Sequence, residues 1–110
     1  CFDYIVGTID EAIVDLPTRV LNSNDLGRID QVIAKSIKSR VLLYAASPLF
    51  NGNFEMYSDF INENGEHFFN QNYDTSKWEL ARDASLEAIN AALDSGVSLY
   101  QFVSAPQMPI

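Results

Sequence analysis

The sequence predicts an all-α chain of about three helices joined by one long irregular connection, and three observations carry that expectation. Apolar residues recur at three- and four-residue intervals through about 2–16, 31–46 and 77–94. Helix-stopping residues fall where two of those stretches end, at Pro17 and Gly96. Between 47 and 75 the chain reads as a connection, with aromatic residues interleaved among Asn and Glu.

In the first helix, Ile5, Ile9, Ala12, Ile13 and Leu16 form one apolar stripe. Pro17 stops it, because the residue before a proline is pushed out of the helical region. Gly7 weakens its middle by about 1 kcal/mol relative to alanine. A loop through Asn22, Ser23, Asn24, Asp25 and Gly27 then carries the side chains and backbone freedom of turns.

Asp30 is the expected N-cap of the second helix. Its early turns are amphipathic, with Ile33, Ala34, Ile37 and Val41 on one side and Lys35, Lys38 and Ser39 on the other. The run Val41-Leu42-Leu43-Tyr44-Ala45-Ala46 that follows is apolar all round, and such a helix is expected to be enclosed. Ser47 is expected to close it.

The third helix opens on Ser76-Lys77-Trp78-Glu79, which reads as a capping box: the Ser76 hydroxyl accepts the amide three residues on, and Glu79 reaches back. At roughly 100° per residue, Glu79, Asp83, Glu87, Asn90 and Asp94 share a narrow wedge, while apolar residues fill most of the circumference. Two other elements are therefore expected to flank it, more partner surface than a three-helix chain offers, so the chain is expected to associate or to lack neighbours, with Trp78 a core anchor on the arc shared with Ala81 and Ala92. Alanines at 81, 84, 88 and 92 would let another helix approach closely, as in stacked helical hairpins. No second copy of a helical repeat aligns within the chain.

Four separated stretches bear a family resemblance. They are Leu26-Gly27-Arg28 entering a helix; Ser39-Arg40-Val41-Leu42-Leu43-Tyr44-Ala45-Ala46-Ser47-Pro48-Leu49-Phe50-Asn51-Gly52; Tyr73-Asp74-Thr75-Ser76-Lys77-Trp78 with Ala81 and Ala84; and Gly96-Val97-Ser98-Leu99-Tyr100. In order and wording they resemble the SusD/RagB family of outer-membrane nutrient-binding proteins, over about Leu26 to Tyr100. The resemblance implies a tetratricopeptide-like helical scaffold, of which residues 1–110 are an internal part, and a parent chain several times longer. It also implies a lipoprotein at the outer face of a Gram-negative outer membrane, anchored by a lipid outside this stretch. Such a protein binds oligosaccharides or peptides and pairs with a SusC-like TonB-dependent transporter. The contrasting reading is a free-standing tetratricopeptide-like module that binds other proteins.

Composition narrows the function classes. With 47% apolar residues the chain is no disordered tail, yet its longest apolar run is far short of the roughly 20 residues that cross a bilayer. Net charge is −8, divided as −1 over 1–50, −5 over 51–75 and −2 over 76–110. Without a basic stripe, nucleic-acid binding lacks its main electrostatic term. Cys1 stands alone and cannot form an internal disulfide or a multi-cysteine metal site; the apolar residues after it read as buried helix and not as the polar tether that follows an acylated cysteine.

No enzymatic activity and no cofactor are expected. Ser47-Pro48 invites a nucleophile reading, but His67 is the sole histidine and no triad partner is recognisable. His67 reads as a solvated loop residue, with no metal expected. Aligning Gly65 with the glycine of a calcium loop puts Phe60 where the first aspartate belongs, so 59–66 is no EF-hand. Gly27 and Arg28 are read as fixing a turn, Arg28 through hydrogen bonds to carbonyl groups. The remaining specificity candidate is the acidic connection, where Phe54, Glu55, Tyr57 and Asp59 are the expected ligand contacts: aromatic faces suit sugar rings, and carboxylates suit their hydroxyls. Against this stands the reading that most of its aromatics tack the connection onto the helices.

Overall fold

The computed structural model describes residues 1–99 and is all-α. The helices are α1 (Phe2–Ile13), α2 (Gln31–Ala46), the single-turn α3 (Phe54–Tyr57) and α4 (Ser76–Asp94), with a 3-10 turn at Ser23–Asp25. Among the described residues there is no strand; Ile61 and His67 form one isolated antiparallel bridge. Tyr100, the last residue of the family resemblance, lies outside the described residues, as does Ile110.

Helix α1 ends three residues earlier than the apolar stripe suggests. Its last turn loosens into shorter-range bonds, Asp15 N–H to the Ala12 carbonyl at 3.1 Å and Leu16 N–H to the Ile13 carbonyl at 3.3 Å. The carbonyls this frees are met from outside: the Gln31 side-chain amide donates to the Leu16 carbonyl at 2.9 Å and to the Ile13 carbonyl at 3.3 Å. The first residue of α2 thus closes the end of α1.

Asp30 caps α2 as expected. One carboxylate oxygen accepts the Ile33 amide at 2.9 Å, and the other accepts the Val20 amide at 3.3 Å, so the same buried side chain starts the helix and holds the preceding loop. In that loop Gly27 has φ +98°, a conformation that suits glycine. Arg28 corrects the expectation of a carbonyl partner: its side chain is largely exposed and pairs with the Asp25 carboxylate at 3.3 Å. At the other end of α2, Ser47 is the C-cap, its hydroxyl donating to the Tyr44 carbonyl at 2.6 Å.

The capping box expected at Ser76 does not form. Thr75 is the N-cap without a side-chain bond, and Ser76 lies inside α4. The acceptor is instead Asp74, whose Oδ1 takes the Ser76 amide at 2.9 Å and the Ser76 hydroxyl at 2.7 Å. A carboxylate is a stronger acceptor than a hydroxyl, so Ser76 donates where a capping serine would accept, and Glu79 has no box to complete. The far end follows the glycine rule: Gly96, at φ +70°, sits in a Schellman motif with Val97 N–H on the Ala92 carbonyl at 2.8 Å and Gly96 N–H on Leu93 at 3.0 Å.

Helices α2 and α4 form the central pair, and α1 packs on α2. The buried apolar residues of the pair are all alanines, Ala34, Ala45 and Ala46 of α2 and Ala81, Ala84 and Ala88 of α4. Small side chains let the two backbones close up, and Ser39 and Ser85 share a hydroxyl bond of 2.7 Å across the seam. Ion pairs flank it, Lys35 with Glu87 at 3.1 Å and, from α1, Asp10 with Lys38 at 2.6 Å.

Among the described residues the apolar faces of α2 and α4 are not fully covered, because these helices carry more apolar surface than their partners here can meet. Helix α4 turns its alanine face to α2 and leaves Leu86, Ile89 and Leu93 exposed; Leu43 and Tyr44 of α2 are exposed as well. Trp78 is 40% exposed among the described residues, and its indole N–H donates to the Tyr73 hydroxyl at 2.9 Å. The hairpin selects the smallest residues for its seam, and the large apolar ones on the same wide arc face away from it.

Candidate functional site

The acidic connection between α2 and α4 is held at its two ends by one buried side chain. Asn51, 2% exposed, donates through Nδ2 to the Asp74 carbonyl at 2.8 Å and to the Ala46 carbonyl at 3.3 Å, while its Oδ1 accepts the Asp74 amide at 2.9 Å. A primary amide carries a donor and an acceptor side by side, so one Asn51 side chain meets both the N–H and the C=O of the same residue, Asp74. Next to it Gly52, at φ +78°, is pressed so tightly on the returning strand of chain that a Cβ would lie 2.4 Å from the Tyr73 nitrogen.

Between those ends the connection has its own apolar centre. Tyr57 and Phe69 pack at 4.6 Å between ring centroids, Phe50 and Phe69 at 5.3 Å, and Phe60 and Phe68 at 4.8 Å. Phe2 of α1 meets Phe50 edge-on at 5.3 Å, so the cluster is tied to the helical body. Helix α3 starts where Asn53 Oδ1 accepts the Met56 amide at 3.2 Å. At the far tip, Asn62 Oδ1 accepts the amides of Asn64 and Glu66, both at 2.9 Å.

This geometry divides the expected ligand contacts. Phe54, 62% exposed, and Glu55 line one cleft together with Pro48, Asn51, Gly52, Asn53 and Tyr73. Asp59 is exposed elsewhere on the segment. Tyr57 is corrected as a surface contact: its ring is half-buried in the aromatic cluster, stacked on Phe50 at 6.2 Å. A connection this long cannot stay ordered without burying some aromatic area of its own, and Tyr57 supplies part of it. Gly27 and Arg28 play no part in this cleft; Arg28 lines an open apolar groove with Leu16, Pro17, Val20, Leu21 and Ile29.

Electrostatically the segment is one-signed. Glu55, Asp59, Glu63 and Glu66 are exposed, and 51–75 contains no Lys or Arg. Asp74 is held below the usual carboxylate range, first by the Ser76 hydroxyl and then by the Ser76 amide, both of which stabilise the charged form. Ser47 spends its hydroxyl proton on the Tyr44 carbonyl. His67 is exposed. Among the described residues no group of three or more His, Cys, Asp or Glu is placed to hold a metal ion. The arrangement can offer aromatic faces, amides and carboxylates to a ligand.

Asn51 is the residue that sequence reasoning passed over. It stood inside a family motif with no role attached, and no local signal names a partner 23 positions away. The glycine after it was the available hint, since Asn-Gly marks a turn.

No family model matches the chain, and no curated protein does. Solved structures match it well. It is similar to BT4246, a Bacteroides thetaiotaomicron protein, at 43% identity and a TM-score of 0.78 over 87% of this chain and 17% of that one. Against selenomethionine BT4246 the identity is 42% and the TM-score 0.75, over 87% and 16%. The chain therefore spans 17% of the length of the protein it matches.

Proposed function

We propose that this chain is a scaffold segment of a SusD/RagB-type nutrient-binding lipoprotein at the outer face of the outer membrane. Such a protein captures oligosaccharides or peptides and delivers them to a SusC-like TonB-dependent transporter. The observation that carries the reading is where the resembling residues sit. Gly27 takes the left-handed turn before α2, Ser47 caps α2, Asn51 and Gly52 grip the backbone at Tyr73 and Asp74, and Gly96 ends α4. These are the joints of the fold, so the resemblance rests on residues with physical work to do. The match to part of a much longer chain supports a segment of a larger protein.

In this reading the segment has no catalytic role. Phe54 and Glu55 form the outward rim of the cleft, and the aromatic cluster with Tyr57 supports it; Asp59 stands apart from it as an exposed carboxylate. The exposed Leu86, Ile89 and Leu93 favour a second reading, a tetratricopeptide-like module that binds other proteins. A tagged parent protein, expressed in its own cells, separates them. Lipid labelling, surface exposure, co-purification with a TonB-dependent transporter and calorimetric binding of oligosaccharide or peptide are expected from the first. An unacylated intracellular protein that captures folded proteins would leave the second.

A further inference from the structure

The chain contains the dipeptide Asn-Gly twice, at 51–52 and at 64–65, and the fold treats the two in opposite ways. We propose that Asn64 is a site of spontaneous deamidation and isoaspartate formation in the native protein, while Asn51 is protected by its place in the fold. This inference stands apart from the proposed function.

The chemistry needs only water. The amide nitrogen of the following residue loses its proton to hydroxide and attacks the asparagine Cγ. The Cγ–Nδ2 bond breaks, ammonia leaves, and a five-membered succinimide remains. Water then adds to either ring carbonyl and reopens the ring, to aspartate or to isoaspartate, in which the main chain runs through Cβ and Cγ. Nothing is oxidised or reduced. The step is favoured where the next residue lacks a Cβ to block the nitrogen, where the side-chain amide is free to rotate, and where the backbone can swing to meet it.

At 64–65 the structure supplies the first two. Asn64 is exposed, and its side-chain amide makes no hydrogen bond among the described residues. Gly65 has φ +78°, and the space around its α-carbon is open to 4 Å. The bonds of the turn oppose the third: the Gly65 N–H donates to the Asn62 carbonyl at 3.0 Å, and the Asn64 and Glu66 amides donate to Asn62 Oδ1. These bonds belong to an exposed turn, and such turns open locally at little free-energy cost.

At 51–52 each condition fails. Asn51 is 2% exposed, both ends of its amide are engaged with Asp74, and the Nδ2 that must leave also donates to Ala46. Gly52 is walled in by the Tyr73 nitrogen and the Asn72 carbonyl carbon, 2.4 and 2.7 Å from where a Cβ would stand. Rotating the Asn51 side chain towards the Gly52 nitrogen would require releasing α4 from the end of α2.

Conversion at Asn64 adds a negative charge between Glu63 and Glu66. The isoaspartate product also lengthens the main chain inside a turn where Asn62 Oδ1 accepts both the residue 64 and residue 66 amides. The test is to age the full-length protein at mildly alkaline pH, natively and in urea, with peptide mapping and an isoaspartyl methyltransferase assay. In the native protein, Asn64 is expected to deamidate at least about tenfold faster than Asn51, because the buried site reacts only through opening. In urea the two rates should converge, since both are Asn-Gly. Equal native rates would overturn the proposal, and so would a tenfold gap that persists in urea, which would assign the difference to neighbouring sequence.

Discussion

Asn51 and Asp74 are joined by two hydrogen bonds that close the acidic connection on itself: the Asn51 amide donates to the Asp74 carbonyl at 2.8 Å and accepts the Asp74 N–H at 2.9 Å. Replacing Asn51 with alanine leaves the Asp74 N–H and C=O and the Ala46 carbonyl without this buried partner. The expected loss is about 2–4 kcal/mol, from unsatisfied groups costing about 1–3 kcal/mol each with partial rescue by water. Urea unfolding measures it, and hydrogen exchange should show lost protection through 51–75 before α2 or α4. A melting temperature and exchange pattern like the parent's would remove Asn51 from its role.

Glycine positions give a graded comparison. Gly52→Ala and Gly27→Ala both place a side chain at positive φ, worth about 1–2 kcal/mol, but only at Gly52 does the new Cβ meet backbone, 2.4 Å from the Tyr73 nitrogen. At Gly27 the space is open. Gly52→Ala should therefore be the more damaging by at least about 1–3 kcal/mol, the usual range for overpacking. Comparable losses at the two positions would mean that α4 yields easily at its start.

Asp74 makes stability depend on acid. Its folded-state pKa is lowered by the Ser76 hydroxyl and amide, so its contribution is fully present above the unfolded value and is lost as pH falls through the folded one. Asp74→Asn is expected to melt lower than the parent at neutral pH. The gap should narrow below the ordinary carboxylate range and close once Asp74 is protonated. A gap that stays constant into strong acid would show that the charge contributes nothing and that the cap is purely geometric.

Much of the helical frame was legible because it is written locally. Asp30 three residues before Ile33, and Gly96 two after Asp94, are near-neighbour signals, and both act as read. The start of α4 was misread because Asp74 and Ser76 compete for one role two residues apart, and pattern alone does not rank a carboxylate above a hydroxyl. Wide apolar arcs on α2 and α4 told how much surface could be buried but not which part: the seam took the alanines and left Leu86 and Ile89 outside. The connection was the least legible, since Phe54 and Tyr57 are chemically alike in sequence and only the partners contributed by Phe50 and Phe69 decide which ring turns in.

That division between Phe54 and Tyr57 yields the most direct experiment on the candidate site. Tyr57→Ala removes a ring packed at 4.6 Å on Phe69 and should destabilise the protein by about 2–4 kcal/mol, toward the low end of buried aromatic truncations because the residue is only half-buried. Phe54→Ala with Glu55→Gln alters exposed side chains and should change stability by less than about 0.5 kcal/mol for each substitution. If the cleft of Pro48, Phe54, Glu55 and Tyr73 contacts a ligand or the transporter, the exposed pair should weaken binding in calorimetry or co-purification while the melting temperature stays put. Tyr57→Ala, measured on its folded fraction, should change binding only as far as the rim loses its support. A stable Phe54→Ala, Glu55→Gln protein whose results match the parent's in every binding assay of the proposed ligands and transporter would reduce the cleft to a surface feature. A Tyr57→Ala protein as stable as the parent would show instead that the aromatic cluster does not hold the connection in place.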